Sequence, residues 1–146
     1  MTGDPPGTQP LSTGKLHRYA LGRLAAARYP GASHPFRLLG CAACGVAPLR
    51  LTVEHHTGSR RTNFRGQIMA QCSRCGESQR IYSFTGAHRK PERQETPHCP
   101  CGNDAFYVAE CERIERDEGM PGFADEGVVV GQCAACGRHI GIIETD

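Results

Sequence analysis

Eight of the nine cysteines in this chain fall into four short clusters, each followed by a glycine: Cys41-Ala-Ala-Cys44-Gly45, Cys72-Ser-Arg-Cys75-Gly76, Cys99-Pro-Cys101-Gly102 and Cys133-Ala-Ala-Cys136-Gly137. The short spacing lets both sulfurs of a cluster reach one point, and the glycine lets the backbone turn tightly beneath them. Four clusters make two sets of four, the ligand number of a closed tetrahedral metal site. A chain like this needs such sites. Phe and Tyr supply 6% of its 146 residues and there is no Trp. Two units of about fifty residues each bury too little apolar surface to be stable alone. A structural zinc ion adds roughly 10–16 kcal/mol to the folding of a small domain.

The alternative, a disulfide framework, belongs to secreted proteins. No apolar signal-peptide core stands near the N-terminus, so the expectation is a cytoplasmic zinc protein. A thioredoxin-like redox pair needs one such cluster at a helix start, not four in series. No run approaches the roughly 18 apolar residues of a membrane span.

The formal charge of +2 hides an asymmetry: residues 1–40 carry +4, residues 41–90 carry +6 and residues 91–146 carry −8. Four thiolates around one Zn2+ add about −2 per site, which leaves the first cysteine unit near +4 and the second near −10. An argument for nucleic acid therefore applies to the first half only.

Residues 1–14 are rich in Pro, Gly and Thr and read as a disordered tail. Lys15 to Tyr29 reads as a helix, with Leu16, Ala20, Leu24 and Ala27 on one stripe and Tyr29-Pro30-Gly31 as its stop. Three roles are open for this basic helix: packing its stripe on the first cysteine unit, docking nucleic acid or a partner, or serving as an Arg-rich transit segment. The helix and its linker span 15–40.

Residues 41–84 and 99–143 look duplicated. Gly66-Gln-Ile-Met-Ala-Gln-Cys72-x-x-Cys75-Gly76 matches Gly127-Val-Val-Val-Gly-Gln-Cys133-x-x-Cys136-Gly137 at a constant offset of 61. A strand leads into each second cluster and another leaves it. The first strands alternate: Leu49, Leu51, Val53 and Phe106, Val108, Glu110. The polar segment 85–98 reads as a linker. Each half thus resembles a zinc ribbon, in which two cysteine knuckles clamp a three-stranded antiparallel sheet over one zinc. The fold expected is small, metal-stabilised and mainly β: one short α-helix, then two tandem ribbons at 41–84 and 99–146. Ribbons serve many functions, so the resemblance constrains fold more than role.

The expected cofactors are two Zn2+. The first is held by Cys41, Cys44, Cys72 and Cys75. The second is held by Cys99, Cys101, Cys133 and Cys136, with His98 as an alternative to Cys99 because it stands at the usual spacing from Cys101. The second pattern also resembles the zinc switch of the redox-activated heat-shock chaperone, which implies zinc release on oxidation; only the four cysteines correspond. Cys111, flanked by Glu110 and Glu112, reads as an inert strand residue.

The loop from Glu54 to Arg65 gathers arginines, histidines, hydroxyls and one aromatic. Arg60, Arg61 and Arg65 there, with Arg74 in the second knuckle, are candidates for phosphate contact, and Phe64 for stacking on a base. The run Cys41-x-x-Cys44-Gly45…Leu51-Thr-Val-Glu54-His55…Cys72-x-x-Cys75 is similar to zinc-knuckled HNH endonucleases. That resemblance implies His55 as general base and Glu54 as metal ligand or orienter. The chain departs from it with Gly66-Gln67 before the second knuckle and Gly76-Glu77 after it. Glu110, Glu112, Glu115, Asp117, Glu118, Asp125 and Glu126 form an acidic region in the second half, expected as a loop. The reading is a non-enzymatic adaptor. Its basic first ribbon contacts nucleic acid or a nucleoprotein complex and its second contacts a protein; no membrane or small-molecule substrate is expected.

Overall fold

A computed structural model describes residues 8–84, 91–115 and 123–145. The order is α1 (Thr13–Arg23), a short 3-10 turn (Ala26–Arg28), β1 (Phe36–Leu39), β2 (Leu49–His56), β3 (Gly66–Cys72), β4 (Ser78–Phe84), β5 (Pro91–Glu95), β6 (Ala105–Glu115), β7 (Phe123–Cys133) and β8 (His139–Thr145). The strands form one antiparallel eight-stranded sheet, ordered β4-β3-β2-β6-β7-β8, with β1 on β6 and β5 on β2. No helix among the described residues is long and apolar enough to cross a membrane.

The duplicated pattern is visible as two three-stranded units, β2-β3-β4 and β6-β7-β8. They do not stand apart as two separate sheets. First strand meets first strand, with Leu49 opposite Phe106 and Arg50 opposite Ala105. In addition, the strand leading into each first cluster leaves its own half. β1 precedes Cys41 but pairs with β6, placing Leu39 opposite Val108. β5 precedes Cys99 but pairs with β2, placing Glu95 opposite Val53. The two halves exchange arms.

One core follows from this exchange. Leu39, Leu49, Leu51, Val53, Phe64 and Ile68 of the first half pack with Phe106, Val108, Val129, Ile142 and Ile143 of the second. Strand β2 shows why: its inward stripe Leu49, Leu51, Val53 and His55 is buried, and the residues between are more open. Strand β6 is buried on both faces from Ala105 to Ala109: on its outer side Ala105 and Tyr107 pack with Ala134 and Leu11, and α1 covers the stretch from Ala109 onward. Leu16, Ala20 and Leu24 of the helix pack there against Ala109, Cys111, Val128 and Val130. The helix thus packs on the second half, whereas its sequence neighbour is the first.

Three expected boundaries move. The helix starts at Thr13, and residues 8–12, read as tail, are held: Gln9 N–H donates to Ala134 O (2.6 Å), Gln132 Nε2 to Pro10 O (2.9 Å) and Ser12 N–H to Gln132 Oε1 (3.0 Å). Residues 1–7 lie outside the described residues. The helix also ends early, because Ala25 takes a left-handed conformation at φ 52 and turns the chain; Ala27 is consequently exposed rather than on the apolar stripe. Of the segment read as linker, 91–95 is strand β5 and 85–90 lies outside the described residues.

Candidate metal centres and the residues around them

Each cluster sits at the end of a strand or in the loop before one, and its glycine takes the left-handed turn the spacing demands: φ is 77 at Gly45, 78 at Gly76, 96 at Gly102 and 80 at Gly137. Antiparallel pairing then brings the clusters together two by two. The ligand atoms of Cys41, Cys44, Cys72 and Cys75 all lie within 4.8 Å of one another, as do those of Cys99, Cys101, Cys133 and Cys136. Cys41 Sγ and Cys75 Sγ are 3.5 Å apart, Cys99 Sγ and Cys136 Sγ 3.5 Å, and Cys101 Sγ and Cys133 Sγ 3.6 Å. A tetrahedron with metal–sulfur bonds of about 2.3 Å has edges of about 3.8 Å, so the eight sulfurs fit two four-coordinate ions. All are free thiols. In the second group the fourth ligand position is filled by Cys99, and His98 lies outside the group.

Backbone N–H groups aim at the sulfurs. Burial pushes the Cys133 thiol up, but the Cys136 N–H, the Asn103 side-chain amide and the Ala135 N–H outweigh it and bring the value down to about 6. Cys41 is lowered to about 7, chiefly by the N–H of Cys44. Each group thus holds one sulfur low and another high: Cys44 is pushed up to about 12 by its contact with Cys75, and Cys99 to about 12 by burial, so a metal would displace a proton from these thiols on binding. Cys111 is the opposite case: buried under α1, with its thiol 3.9 Å from His34 O, it is pushed up to about 11 by that burial.

The candidate nucleic-acid residues divide. Arg60 and Arg61 are exposed. Arg65 is half-buried over the Phe84 ring at 5.2 Å, and Arg74 Nη1 donates to Val46 O at 3.0 Å, clamping one knuckle to the other. Phe64 is a correction: it is 0% exposed, edge-on to His55 at 5.4 Å and beside Tyr82 at 6.3 Å, so it belongs to the core and cannot stack on a base. The loop bearing these residues is not a free tip. Phe64 N–H donates to Glu144 O (2.9 Å) and Glu144 N–H to Arg61 O (2.7 Å), docking it on the end of β8. Arg93 Nη1 reaches Ser59 O at 3.0 Å from the exchanged strand β5.

Glu54 and His55, the residues of the nuclease-like resemblance, lie on β2 after the first knuckle. His55 is 0% exposed, with Nδ1 2.8 Å from Ser59 Oγ and Nε2 2.8 Å from Glu95 Oε2. Ser59 Oγ also accepts the Arg65 N–H at 2.8 Å. Both ring nitrogens are thus engaged in joining β2, the loop and β5. Glu54 accepts from Gln67 Nε2 at 3.2 Å. The acidic region is largely strand: Glu110 pairs with Arg37, and Glu126 with Arg113 at 2.9 Å, while Asp117 and Glu118 lie outside the described residues.

Sequence reasoning missed Ser59, Glu95, Asn103 and Gln132. Two carried a signal. Asn103 follows a cluster glycine directly, and Gln132 directly precedes a ligand cysteine. Compared with known protein families, with curated proteins and with solved structures, the chain matches none of them.

Proposed function

We propose that this protein is a non-enzymatic adaptor whose shape is held by two zinc ions. The observation that carries the reading is the pair of four-sulfur groups, each within 4.8 Å. Four thiolates complete the coordination of zinc and leave no position for a catalytic water, which supports a structural role. Once bound, the metal supplies a cross-link in place of apolar core. Three strands and two clusters in each half are consistent with two zinc ribbons fused through their first strands. The burial of His55 and the partners on both its ring nitrogens support reading it as a structural residue. Eight reduced thiols suit a cytoplasmic setting.

On this reading the basic first half contacts nucleic acid or a nucleoprotein complex through the exposed Arg60 and Arg61. These arginines neutralise phosphates; with Phe64 buried, the contact has no aromatic platform and is expected to be insensitive to sequence. The acidic second half faces a protein partner. The test is binding of the zinc-loaded chain to labelled DNA and RNA across a salt series. Affinity that falls steeply with salt, and that weakens in the Arg60→Ala/Arg61→Ala double variant, supports the reading. Binding absent at low salt, or unchanged in that variant, moves the function to protein docking alone.

A further inference from the structure

We propose that Asn103 is a positioning residue for the second metal ion, and that it makes this site slower to release metal than the first, where Val46 stands in its place. The inference rests on the two-zinc reading above and goes beyond it by making the two sites unequal.

In most respects the sites match. Each has two buried and two exposed cysteines, and the equivalent sulfur pairs Cys41–Cys75 and Cys99–Cys136 are both 3.5 Å apart. Besides the first cluster being one residue shorter in the second site, the sites differ in one side chain that reaches a ligand sulfur. Asn103 Nδ2 lies 3.3 Å from Cys133 Sγ and 2.7 Å from Ala105 O, so its two hydrogens are directed at a ligand sulfur and at the strand that follows. Cys133 also receives the N–H groups of Ala135 (3.4 Å) and Cys136 (3.5 Å), which makes three donors on one buried sulfur. Counted from the last cysteine of the cluster, the counterpart of Asn103 is Val46. Its side chain is 43% exposed and has no hydrogen to donate.

A hydrogen bond to a coordinated thiolate spreads its charge. Anchored at Ala105 O, the Asn103 amide also fixes where the sulfur points, so the sulfur is slower to leave the metal. The surrounding field acts in the same direction, because an anionic chelator is drawn to the basic half holding the first site and repelled by the acidic half holding the second.

The experiment uses full-length zinc-loaded protein. Metal content is measured first, and release into excess chromogenic chelator is then followed in time. Fewer than two zinc ions per chain overturns the two-zinc reading, and this proposal with it. With two ions bound, release is expected in two phases. Asn103→Leu keeps the side-chain shape and removes the donor. It is expected to speed the slow phase roughly 10–100-fold and to leave the fast phase alone. Val46→Asn is expected to slow the fast phase. A single phase in the parent, or an Asn103→Leu slow phase equal to the parental one, overturns the inequality of the sites while leaving two-zinc binding intact. If Asn103→Leu no longer holds two ions, Val46→Asn decides, and an unaltered fast phase counts against the proposal.

Discussion

Leu49 and Phe106 stand opposite one another where β2 meets β6, and each is also opposite the first cysteine of the second cluster in its own half, Leu49 to Cys72 and Phe106 to Cys133. They are equivalent positions of the duplication, so a pseudo-two-fold axis passes between them. Glu95, four before Cys99, lies opposite Val53, four after Leu49; Arg37, four before Cys41, lies opposite Glu110, four after Phe106. The arm exchange obeys the same symmetry.

Both residues are buried at this axis. Phe106→Ala is expected to cost about 3–5 kcal/mol and Leu49→Ala about 2–5 kcal/mol. Because the core is shared, each variant should lower one common unfolding transition, which chemical denaturation followed by both fluorescence and circular dichroism would register. Two separate transitions would argue for independent halves.

Metal removal should unfold the protein rather than loosen it. Two zinc-scale contributions of roughly 10–16 kcal/mol each exceed the usual net stability of a domain of about 5–15 kcal/mol. Excess chelator is expected to abolish the dispersed amide spectrum, and zinc to restore it.

Gly66 allows two strands to approach. A Cβ there would sit 1.9 Å from Glu54 O, a backbone atom that cannot yield without moving β2. Gly66→Ala is expected to destabilise by at least about 1–3 kcal/mol, the usual range for overpacking. Ala25→Gly should do the reverse, since an L-residue in the left-handed region costs about 1–2 kcal/mol. Melting temperatures of the two variants should move in opposite directions.

Acid should weaken the loop–strand junction. The Glu95 carboxyl is held below its usual value, first by its hydrogen bond with His55 and then by the charges of His55, Arg61 and Arg93, which outweigh its partial burial. A depressed carboxylate contributes stability above its unfolded value of 4.5, and that contribution is lost as pH falls through the lower folded value. Glu95→Gln should therefore reduce stability at neutral pH and narrow its gap from the parent as pH drops below about 4.5. Paired denaturation curves between neutral and acid pH would show whether the gap closes.

Much of this was legible in the chain. Cluster spacing announced two four-cysteine groups, alternation announced β2 and β6, and the duplicated run into each second cluster announced β3 and β7. The same alternation held more than was taken from it. His55 continues the parity of Leu49, Leu51 and Val53, and Phe64 that of Gly66, Ile68 and Ala70, so their burial follows from pattern rather than residue type. What the chain concealed is long-range pairing. Strand β5, Pro-Glu-Arg-Gln-Glu, has no apolar face and reads as linker, because its role is to complete an edge and place Glu95 on His55. Residues 8–12 carry no core signature and are held through the buried Gln132 amide, a contact set by tertiary structure.

The exchanged arms have a consequence for synthesis. Leu38 leaves the ribosome roughly seventy residues ahead of Ala109, the residue it must lie beside, so the first half emerges with its cysteines complete and its sheet unfinished. Metal capture at Cys41, Cys44, Cys72 and Cys75 needs only local chain. Closing the apolar interior has to wait for β6, and until then Leu39, Leu49 and Leu51 stay uncovered. On the two-zinc reading, an ion captured there would hold the nascent segment in register during that interval.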